Sequence, residues 1–298
     1  MSRLAYLGTP AFAVPPLRAL VAAGHRVELV VSTPDRRRGR GAALTPSPVK
    51  AAAVELGLAT GDSVDEVVAP GREPPELGVV VAYGKLIPEA VLAAVPMVNL
   101  HFSLLPRWRG AAPLERAILA GDRTTGVCVM AVEATLDTGA LYARDELEIG
   151  PDEHLGPLRR RLVETGAARL VGLLADGVGG LPEPVPQVGE VTYAKKLDPA
   201  ELELDWSRPS AEVLAVVRLD RGAHTSVAGR RLQVLEAVAV PGQGRGAPPG
   251  VLAGGLVTTG DGALRLVTVQ PEGKRPMAAA DWLRGSRLPE GTRLGARP

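Results

Sequence analysis

The stretch LGVVVAYGKLIPEAVLAAVPMVNLHFS, Leu77 to Ser103, decides the fold of this chain. It contains two apolar runs, LGVVVAYG and MVNLHFS, separated by the short helical pattern PEAVLAAV. Continuous apolar runs of this length are typical of strands buried on both faces, and a helix between two of them predicts a βαβ unit with parallel strands. The stretch therefore predicts a doubly wound α/β domain.

The same alternation of strands and helices continues on both sides of this unit. The runs RLAYLG and RVELVVST predict strands near the N-terminal end, and TGVCVMAVE is a further β-rich run. Helical patterns lie between and after them, at residues 14–24, 47–56, 112–121 and 154–175. We therefore expect a Rossmann-like, mostly parallel sheet with helices on both faces, in which ligands bind beyond the carboxyl ends of the strands.

The pattern changes after Leu181, so the first domain is expected to comprise residues 1–182. Residues 183–204 are rich in proline and charge and predict a linker. Beyond them, short apolar runs joined by Gly-rich turns predict a smaller β-rich barrel or sandwich at residues 205–298, with a hairpin at the Asp-Gly pair in GDGALRL. One helix, SAEVLAVVRL, comes first, and Ser210 is expected to cap its N-terminus.

Composition is that of a globular protein, with 298 residues, 46% of them hydrophobic and 22% charged. The single cysteine, Cys128, excludes an intrachain disulfide and fits a reducing compartment. In GVCVMAV it is expected to be a buried apolar residue rather than a nucleophile. The sequence has no basic-plus-apolar leader and no apolar run of membrane-spanning length, so we expect a cytoplasmic protein without a membrane partner.

Asn99 and His101 occupy alternate positions at the end of a predicted strand, and alternate positions point to the same face. Further along, Asp137 lies in LDTG. A carboxylate beside an imidazole orients the ring, and an amide can donate to a developing oxyanion. If the three residues meet, they can move a formyl or acyl group between two nitrogens without a nucleophilic side chain. The plain alternative for His101 is a hydrogen-bonded core residue, and the plain alternative for LDTG with Asp137 is a turn.

Other residues and motifs are weaker candidates for chemistry. His25, His154 and His224 lie at the ends of predicted elements, where solvated or capping roles are expected. The turn LGTPAF lacks the G-x-G-x-x-G pattern, and the sequence has no Walker A pattern and no G-x-S-x-G. One cysteine and four scattered histidines provide no zinc-ligand spacing, so we expect no metal.

Several motifs occur in an order that resembles one enzyme family. The run NLHFSLLPRWRGAAPLERAILAGDRTTGV followed by LDTG resembles the signature of the folate-dependent formyltransferases. The members that act on initiator methionyl-tRNA are the most similar, through YLGTPAFAVPPL, TPDRRRGRGAALTPSPVK, VVVAYGKLIP and VQPEGKRPMAAADWLRG. The resemblance covers nearly the whole chain and implies an OB-like fold for the C-terminal domain.

The resemblance also implies roles for named residues. Asn99, His101 and Asp137 match the family's catalytic residues. In the members that act on methionyl-tRNA, the amine of that substrate attacks the formyl carbon of 10-formyltetrahydrofolate. Asn99 and a protonated His101 would then stabilise the oxyanion, while Asp137 would hold the imidazole and assist proton transfer. The segments that contact folate in the family match Tyr83, Gly84, Leu86, Ile87, Ser103, Leu104, Leu105 and Pro106.

The run DRRRGRG, residues 35–41, has four arginines in five positions. With its glycines and the following TPSP, it is typical of a mobile loop that becomes ordered on a phosphate backbone, and a solvated charged loop is the plain alternative. In the resembling enzymes this loop enters the tRNA acceptor stem, which implies tRNA contacts for Arg36, Arg37, Arg38 and Arg40. From Glu201 onward 13 Lys and Arg oppose 10 Asp and Glu, so Lys274 and Arg275 are further candidates.

Other functions stay open from the residues alone. The three catalytic candidates act on any amine, so a formyltransferase for an amino-sugar nucleotide or a purine precursor would have the same groups. Water in place of the amine would make a formyltetrahydrofolate hydrolase. A non-enzymatic folate- or RNA-binding module would be favoured if His101 or Asp137 were missing, and both are present. The arginine run favours tRNA, and we expect a monomer because tRNA would contact both domains.

Overall fold

The computed structural model describes residues 1–38, 43–71, 73–240, 242–244, 246–289 and 291–295. The chain divides into two compact units. The first consists of Met1–Pro113, Thr124–Glu148 and Arg159–Lys195, and the second of Leu114–Arg123, Ile149–Leu158 and Lys196–Pro298. The limits expected from the sequence, 1–182 and 205–298 with a linker at 183–204, stay a prediction.

The described part of the first unit is built around a seven-stranded sheet with the strand order β10-β9-β7-β6-β1-β2-β5. From β5 to β7 in this order the strands are parallel, and β9 and β10 extend the sheet in antiparallel pairs. This confirms the mostly parallel sheet. Two short pairs, β3 with β4 and β8 with β11, lie outside it. The strands are β1 (Arg3–Gly8), β2 (Arg26–Val31), β3 (Arg36–Arg38), β4 (Ala43–Thr45), β5 (Thr60–Gly61), β6 (Leu77–Val81), β7 (Met97–His101), β8 (Arg109–Gly110), β9 (Thr124–Ala131), β10 (Leu141–Glu148) and β11 (Tyr193–Ala194).

Helices α1 to α6 begin and end close to the predicted limits, and α7 was not predicted. Ser47 caps the second helix, since its hydroxyl accepts a hydrogen bond from the Lys50 N–H at 3.0 Å. No helix in the described ranges is both long and apolar enough to cross a bilayer. The helices are α1 (Val14–Ala22), α2 (Pro48–Glu55), α3 (Glu89–Ala94), α4 (Pro113–Leu119), α5 (Leu155–Leu173), α6 (Ser210–Val217) and α7 (Ala279–Ser286).

The strand order reverses direction at β1. The chain passes from β1 to β2 on one side and later places β6 on the other side of β1. Beyond the carboxyl ends of β1 and β6, the Thr9 hydroxyl donates a hydrogen bond to the Tyr83 carbonyl at 3.3 Å. In open α/β sheets ligands bind at such a reversal point, so a ligand is expected at the loops that follow β1, β6 and β7.

The second unit contains an antiparallel sheet with the strand order β12-β13-β16-β15-β14, and β17 pairs with β16. Its core includes Trp206, Leu232, Leu264 and Trp282. β15 and β16 form the hairpin predicted at the Asp-Gly pair. The strands are β12 (His224–Val227), β13 (Arg230–Val240), β14 (Leu252–Ala253), β15 (Leu256–Thr258), β16 (Ala263–Pro271) and β17 (Met277–Ala278).

The start of α6 differs from the prediction. Pro209 occupies the N-cap position and Ser210 is the first helical residue, so the expected Ser210 cap is wrong. The Ser210 N–H instead donates to the Asp261 carboxylate at 2.7 Å. A side chain distant in sequence satisfies this free N–H, which no local pattern reveals.

Candidate active site

β7 places Asn99 and His101 at the expected strand end. Asn99 pairs with Met130 and His101 pairs with Cys128 on the neighbouring strand β9. His101 is the last residue of β7 and is only 6% exposed. Asn99 is partly exposed, and the structure provides its amide with no hydrogen-bond partner among the described side chains and backbone groups. The amide is therefore accessible to a bound substrate.

Two groups contact the His101 imidazole from opposite sides. Nε2 lies 3.0 Å from the Trp108 carbonyl oxygen, and Nδ1 lies 3.7 Å from Oδ2 of Asp137. A carbonyl oxygen only accepts hydrogen bonds, so Nε2 carries a hydrogen. This leaves Nδ1 as the ring nitrogen that can exchange a proton, with a carboxylate beside it. The contact between His101 and Asp137 joins residues 36 positions apart.

Asp137 lies in a tight loop that is held close to the sheet. It is 8% exposed and has a φ of 54°, and its Oδ2 accepts a hydrogen bond from the Gly110 N–H at 2.7 Å. Two residues later, a Cβ on Gly139 would lie 1.9 Å from the Ala131 carbonyl oxygen. Only glycine fits there, so the LDTG motif serves the close approach of this loop to β9.

A small apolar cluster lies next to His101, whose pairing partner on β9, Cys128, is one of its members. It consists of Leu105, Cys128, Met130 and Leu141, all buried. Burial raises the pKa of the Cys128 thiol to about 11, which keeps it protonated at neutral pH. The predicted burial of Cys128 is confirmed. In the described part of the chain, no group of three or more His, Cys, Asp or Glu residues is arranged to hold a metal ion.

The residues expected to contact folate lie in two loops. After β6, Tyr83 is buried, Gly84 is exposed with a φ of 78°, Leu86 is 80% exposed and Ile87 is partly buried. After β7, Leu105 and Pro106 are buried and Leu104 is partly exposed.

The Ser103 side chain is used within its own turn. It is fully buried, and its hydroxyl donates to the Arg107 carbonyl oxygen at 2.6 Å. The hydroxyl thus shapes the turn that leads from His101 to Trp108.

The described residues that are expected to contact tRNA lie in two segments, one in each unit. Arg36, Arg37 and Arg38 form β3, which pairs antiparallel with β4 in the β3–β4 hairpin. The side chains of Arg36 and Arg37 are exposed. Arg40 lies outside the described residues. Lys274 and Arg275 are exposed between β16 and β17 in the second unit.

The remaining histidines differ among themselves. His154 precedes α5 and its Nδ1 lies 2.7 Å from the Asp220 carboxylate, while Nδ1 of His224 lies 3.2 Å from the Gly222 carbonyl. The expectation of a solvated or capping role is wrong for His25, which is buried with no hydrogen-bond partner for its Nδ1 among the described atoms. Burial lowers the pKa of His25, so its neutral form is favoured.

Sequence reasoning missed two residues that contact the site. Gln187 donates to the carbonyl oxygens of Asp137 and Gly139, and the Thr192 hydroxyl accepts from the Trp108 N–H. Both lie in PEPVPQVGEVTYA, whose proline-rich composition is typical of a linker. No signal in that stretch indicates which side chains return to the first unit.

Comparison with known proteins identifies the family. A profile of the formyl transferase family matches residues 2–174, and a profile of the formyl transferase C-terminal domain matches residues 196–287. The chain belongs to the formyl transferase family.

The curated relatives match over nearly their whole length. The methionyl-tRNA formyltransferase of Dinoroseobacter shibae is 46% identical over 96% of this chain and 98% of its own length. The methionyl-tRNA formyltransferase of Jannaschia sp. is 45% identical over 98% of this chain and 99% of its own length. The methionyl-tRNA formyltransferase of Paracoccus denitrificans is 44% identical over 97% of this chain and 99% of its own length. The resemblance inferred from the sequence motifs is confirmed.

Solved structures share the fold at low sequence identity. HypX from Aquifex aeolicus in complex with tetrahydrofolic acid is 20% identical with a TM-score of 0.65, over 95% of this chain and 47% of its own, so our chain spans about half of HypX. The N-formyltransferase from Helicobacter canadensis, in complex with folinic acid and dTDP-3-aminofucose, is 13% identical with a TM-score of 0.67, over 91% and 100%. These likenesses confirm the α/β first unit followed by a β-rich second unit.

Proposed function

We propose that this formyl transferase transfers the formyl group of 10-formyltetrahydrofolate to the α-amino group of methionine on initiator methionyl-tRNA, for translation initiation in the cytoplasm. The observation that carries the proposal is the buried pair of His101 and Asp137 beside Asn99, at the carboxyl end of a strand. It is supported by relatives of that activity that are more than 40% identical over nearly the whole chain.

The site residues then have distinct roles. The methionine nitrogen forms a bond to the formyl carbon, the bond between that carbon and N10 breaks, and the proton lost by the amine ends on N10. Asn99 and Nδ1 of a protonated His101 donate hydrogen bonds to the formyl oxygen as it gains negative charge. Asp137 stabilises the charged imidazole and assists the proton transfer, while the Trp108 carbonyl keeps Nε2 as a donor.

We assign the site of the folate ring to the loops after β6 and β7. Leu86 is a large apolar side chain that is 80% exposed, and Ile87 and Leu104 are partly exposed near the ends of neighbouring strands. Tyr83 and Gly84 add backbone groups in a turn with positive φ at Gly84. An apolar slot edged by backbone donors and acceptors is typical of pterin-sized ligands. We assign the folate-binding role to Tyr83, Gly84, Leu86, Ile87, Ser103, Leu104, Leu105 and Pro106.

The tRNA contacts are assigned to exposed cations. Arg36 and Arg37 present guanidinium groups on the β3–β4 hairpin, and Arg38 and Arg40 complete the run. Guanidinium groups pair with phosphates through two parallel hydrogen bonds. Lys274 and Arg275 add a second basic turn, and a monomer that binds one tRNA is expected.

The proposal is tested with 10-formyltetrahydrofolate that is radiolabelled in its formyl group, together with charged initiator methionyl-tRNA. The wild type and an Asp176→Asn control, an exposed carboxylate of the same unit, are expected to place the label in the tRNA. Asp137→Asn should slow this transfer by about 10²-fold or more. Label released as formate would instead indicate a hydrolase. Label found only on an added amino-sugar nucleotide would indicate a different acceptor, and either result would overturn the proposal.

A further inference from the structure

We infer that residues 185–194 position His101 and Asp137 for catalysis, with Thr192 and Gln187 as the positioning residues. This clasp segment lies between the two family matches, which end at residue 174 and resume at residue 196. It belongs to the first unit and contacts both loops that hold the catalytic pair. The inference rests on the proposed function and extends it to residues outside both matches.

Thr192 holds the turn that orients the imidazole. Its hydroxyl accepts from the Trp108 N–H at 2.9 Å, its carbonyl accepts from the Arg109 N–H at 2.9 Å, and its own N–H donates to Pro106 at 3.3 Å. Trp108 has a φ of 64°, which is uncommon for a residue with a Cβ. The N–H of Trp108 binds Thr192, and the carbonyl of Trp108 binds His101. Because both groups belong to one residue, the bond to Thr192 fixes the direction in which the Trp108 carbonyl points.

Gln187 holds the other loop. Its Nε2 donates to the carbonyl oxygens of Asp137 and Gly139, both at 2.9 Å. Its Oε1 accepts from Nε and a terminal nitrogen of Arg109, at 3.2 and 2.7 Å. Both amide hydrogens and the amide oxygen are therefore engaged, which leaves the side chain a single orientation. Gln187 thus links the Asp137 loop to the residue that follows Trp108.

Backbone pairing at both ends keeps the clasp segment in place. Val185 exchanges two hydrogen bonds with Leu141, at 2.7 and 2.9 Å. Tyr193 and Ala194 pair in parallel with Arg109 and Gly110. A Cβ on Gly110 would lie 2.8 Å from the Ala194 carbonyl oxygen, and the φ of Gly110 is 121°. The Gly110 N–H is the group that donates to the Asp137 carboxylate, so this close approach sets the position of that donor.

These contacts predict an effect on turnover that a stabilising role alone would not produce. Partners that orient a metal-bound histidine commonly contribute about 10- to 100-fold to its function. A displacement of about 1 Å at a reacting group can cost about 100-fold. Thr192→Val keeps the shape and removes the hydroxyl acceptor. We expect it to lower kcat about 10- to 100-fold, with the KM values for folate and tRNA changed by less than about threefold.

Three further variants complete the test. Thr192→Ser retains the hydroxyl and should restore kcat to near the wild-type value. Gln187→Met keeps the length and apolar stem of a partly exposed side chain and should also lower kcat; it decides the matter if Thr192→Val does not fold. Thr268→Val is the matched control, since it removes a threonine hydroxyl that donates to Glu236 in the second unit. Each variant is first compared with the wild type by thermal melting.

The outcomes are distinguishable. A fall in kcat for Thr192→Val and Gln187→Met, rescued by Thr192→Ser, supports the inference. If both variants fold and their kcat stays within about twofold of the wild type, or if Thr192→Ser is as slow as Thr192→Val, the inference is overturned. A wild type that transfers no formyl group to tRNA would refute the proposed function itself.

Discussion

The two units bury their sheets in different ways. Every residue of β6 in the first unit is buried, whereas β13 in the second unit buries only Leu232, Val234 and Ala237 and leaves its other positions partly or fully exposed. Parallel strands are covered by helices on both faces, while an antiparallel strand can leave one face to solvent. A fully buried strand has only its ends free for polar side chains, so the first unit gathers functional groups at one edge of its sheet.

The functional candidates of the two units also differ in burial. In the first unit, His101 and Asp137 are buried and lie 3.7 Å apart at a strand end. In the second unit, exposed cations such as Arg230, Lys274 and Arg275 lie along strands and turns. We therefore expect variants in the first unit's site to change rates, and variants in the second unit to change binding or stability.

The largest effect is expected at His101. His101→Ala removes one of the two oxyanion donors and the imidazole that acts with Asp137, so kcat should fall by about 10²- to 10⁴-fold. His154→Ala, which removes the contact with the Asp220 carboxylate in the second unit, should change kcat by less than about threefold. Steady-state formylation of methionyl-tRNA measures both variants. A His101→Ala rate within a few-fold of the wild type would refute the catalytic assignment.

A smaller effect is expected from the basic groups. Replacement of Arg36, Arg37, Arg38 and Arg40 by glutamine should weaken tRNA binding and lower the salt slope of log K by roughly 0.7–0.9 for each phosphate that the protein no longer neutralises. Folate binding should stay unchanged. The change is measured by tRNA titration at several salt concentrations.

The matched double variant in the second unit is Lys274→Gln with Arg275→Gln. A smaller reduction in tRNA affinity than that of the arginine variant would place the main contact on the hairpin. An arginine variant with the wild-type salt slope would mean that the run is only a solvated surface.

The smallest effect is expected at the start of α6. Asp261→Ala removes the acceptor of the Ser210 N–H and should lower Tm without changing kcat, whereas Ser210→Ala keeps that N–H and should lower Tm less. The bond from the Ser210 backbone lowers the pKa of Asp261 below its ordinary value of 3.8. A lowered pKa in the folded state means that this stabilisation is present above that value and is lost as the pH falls below it. The Tm values of the Asp261→Ala and Ser210→Ala variants should therefore converge in acid. Equal Tm values of these two variants at neutral pH would contradict the role of Asp261 as the cap of α6.

Much of the fold was predictable because its signals are local. Apolar runs predicted the strands β1, β2, β6 and β7, and the helical pattern at residues 47–56 predicted α2. Ser210 shows the limit of this approach: its sequence context is that of a cap, but a proline precedes it and a distant carboxylate binds its N–H. His25 shows another, since its burial depends on packing that the turn after α1 does not reveal.

By itself, the sequence determined the α/β first unit, the β-rich second unit, the resemblance to folate-dependent formyltransferases and the candidates Asn99, His101 and Asp137. These features depend on residue type and short-range spacing. Only the tertiary structure decided that Asp137 reaches His101, that the Trp108 carbonyl binds the imidazole, and that Gln187 and Thr192 return to the site from a stretch with the composition of a linker. Such contacts join residues 7 to 84 positions apart, and they form because backbone and side-chain polar groups near a buried site need partners wherever the fold supplies them.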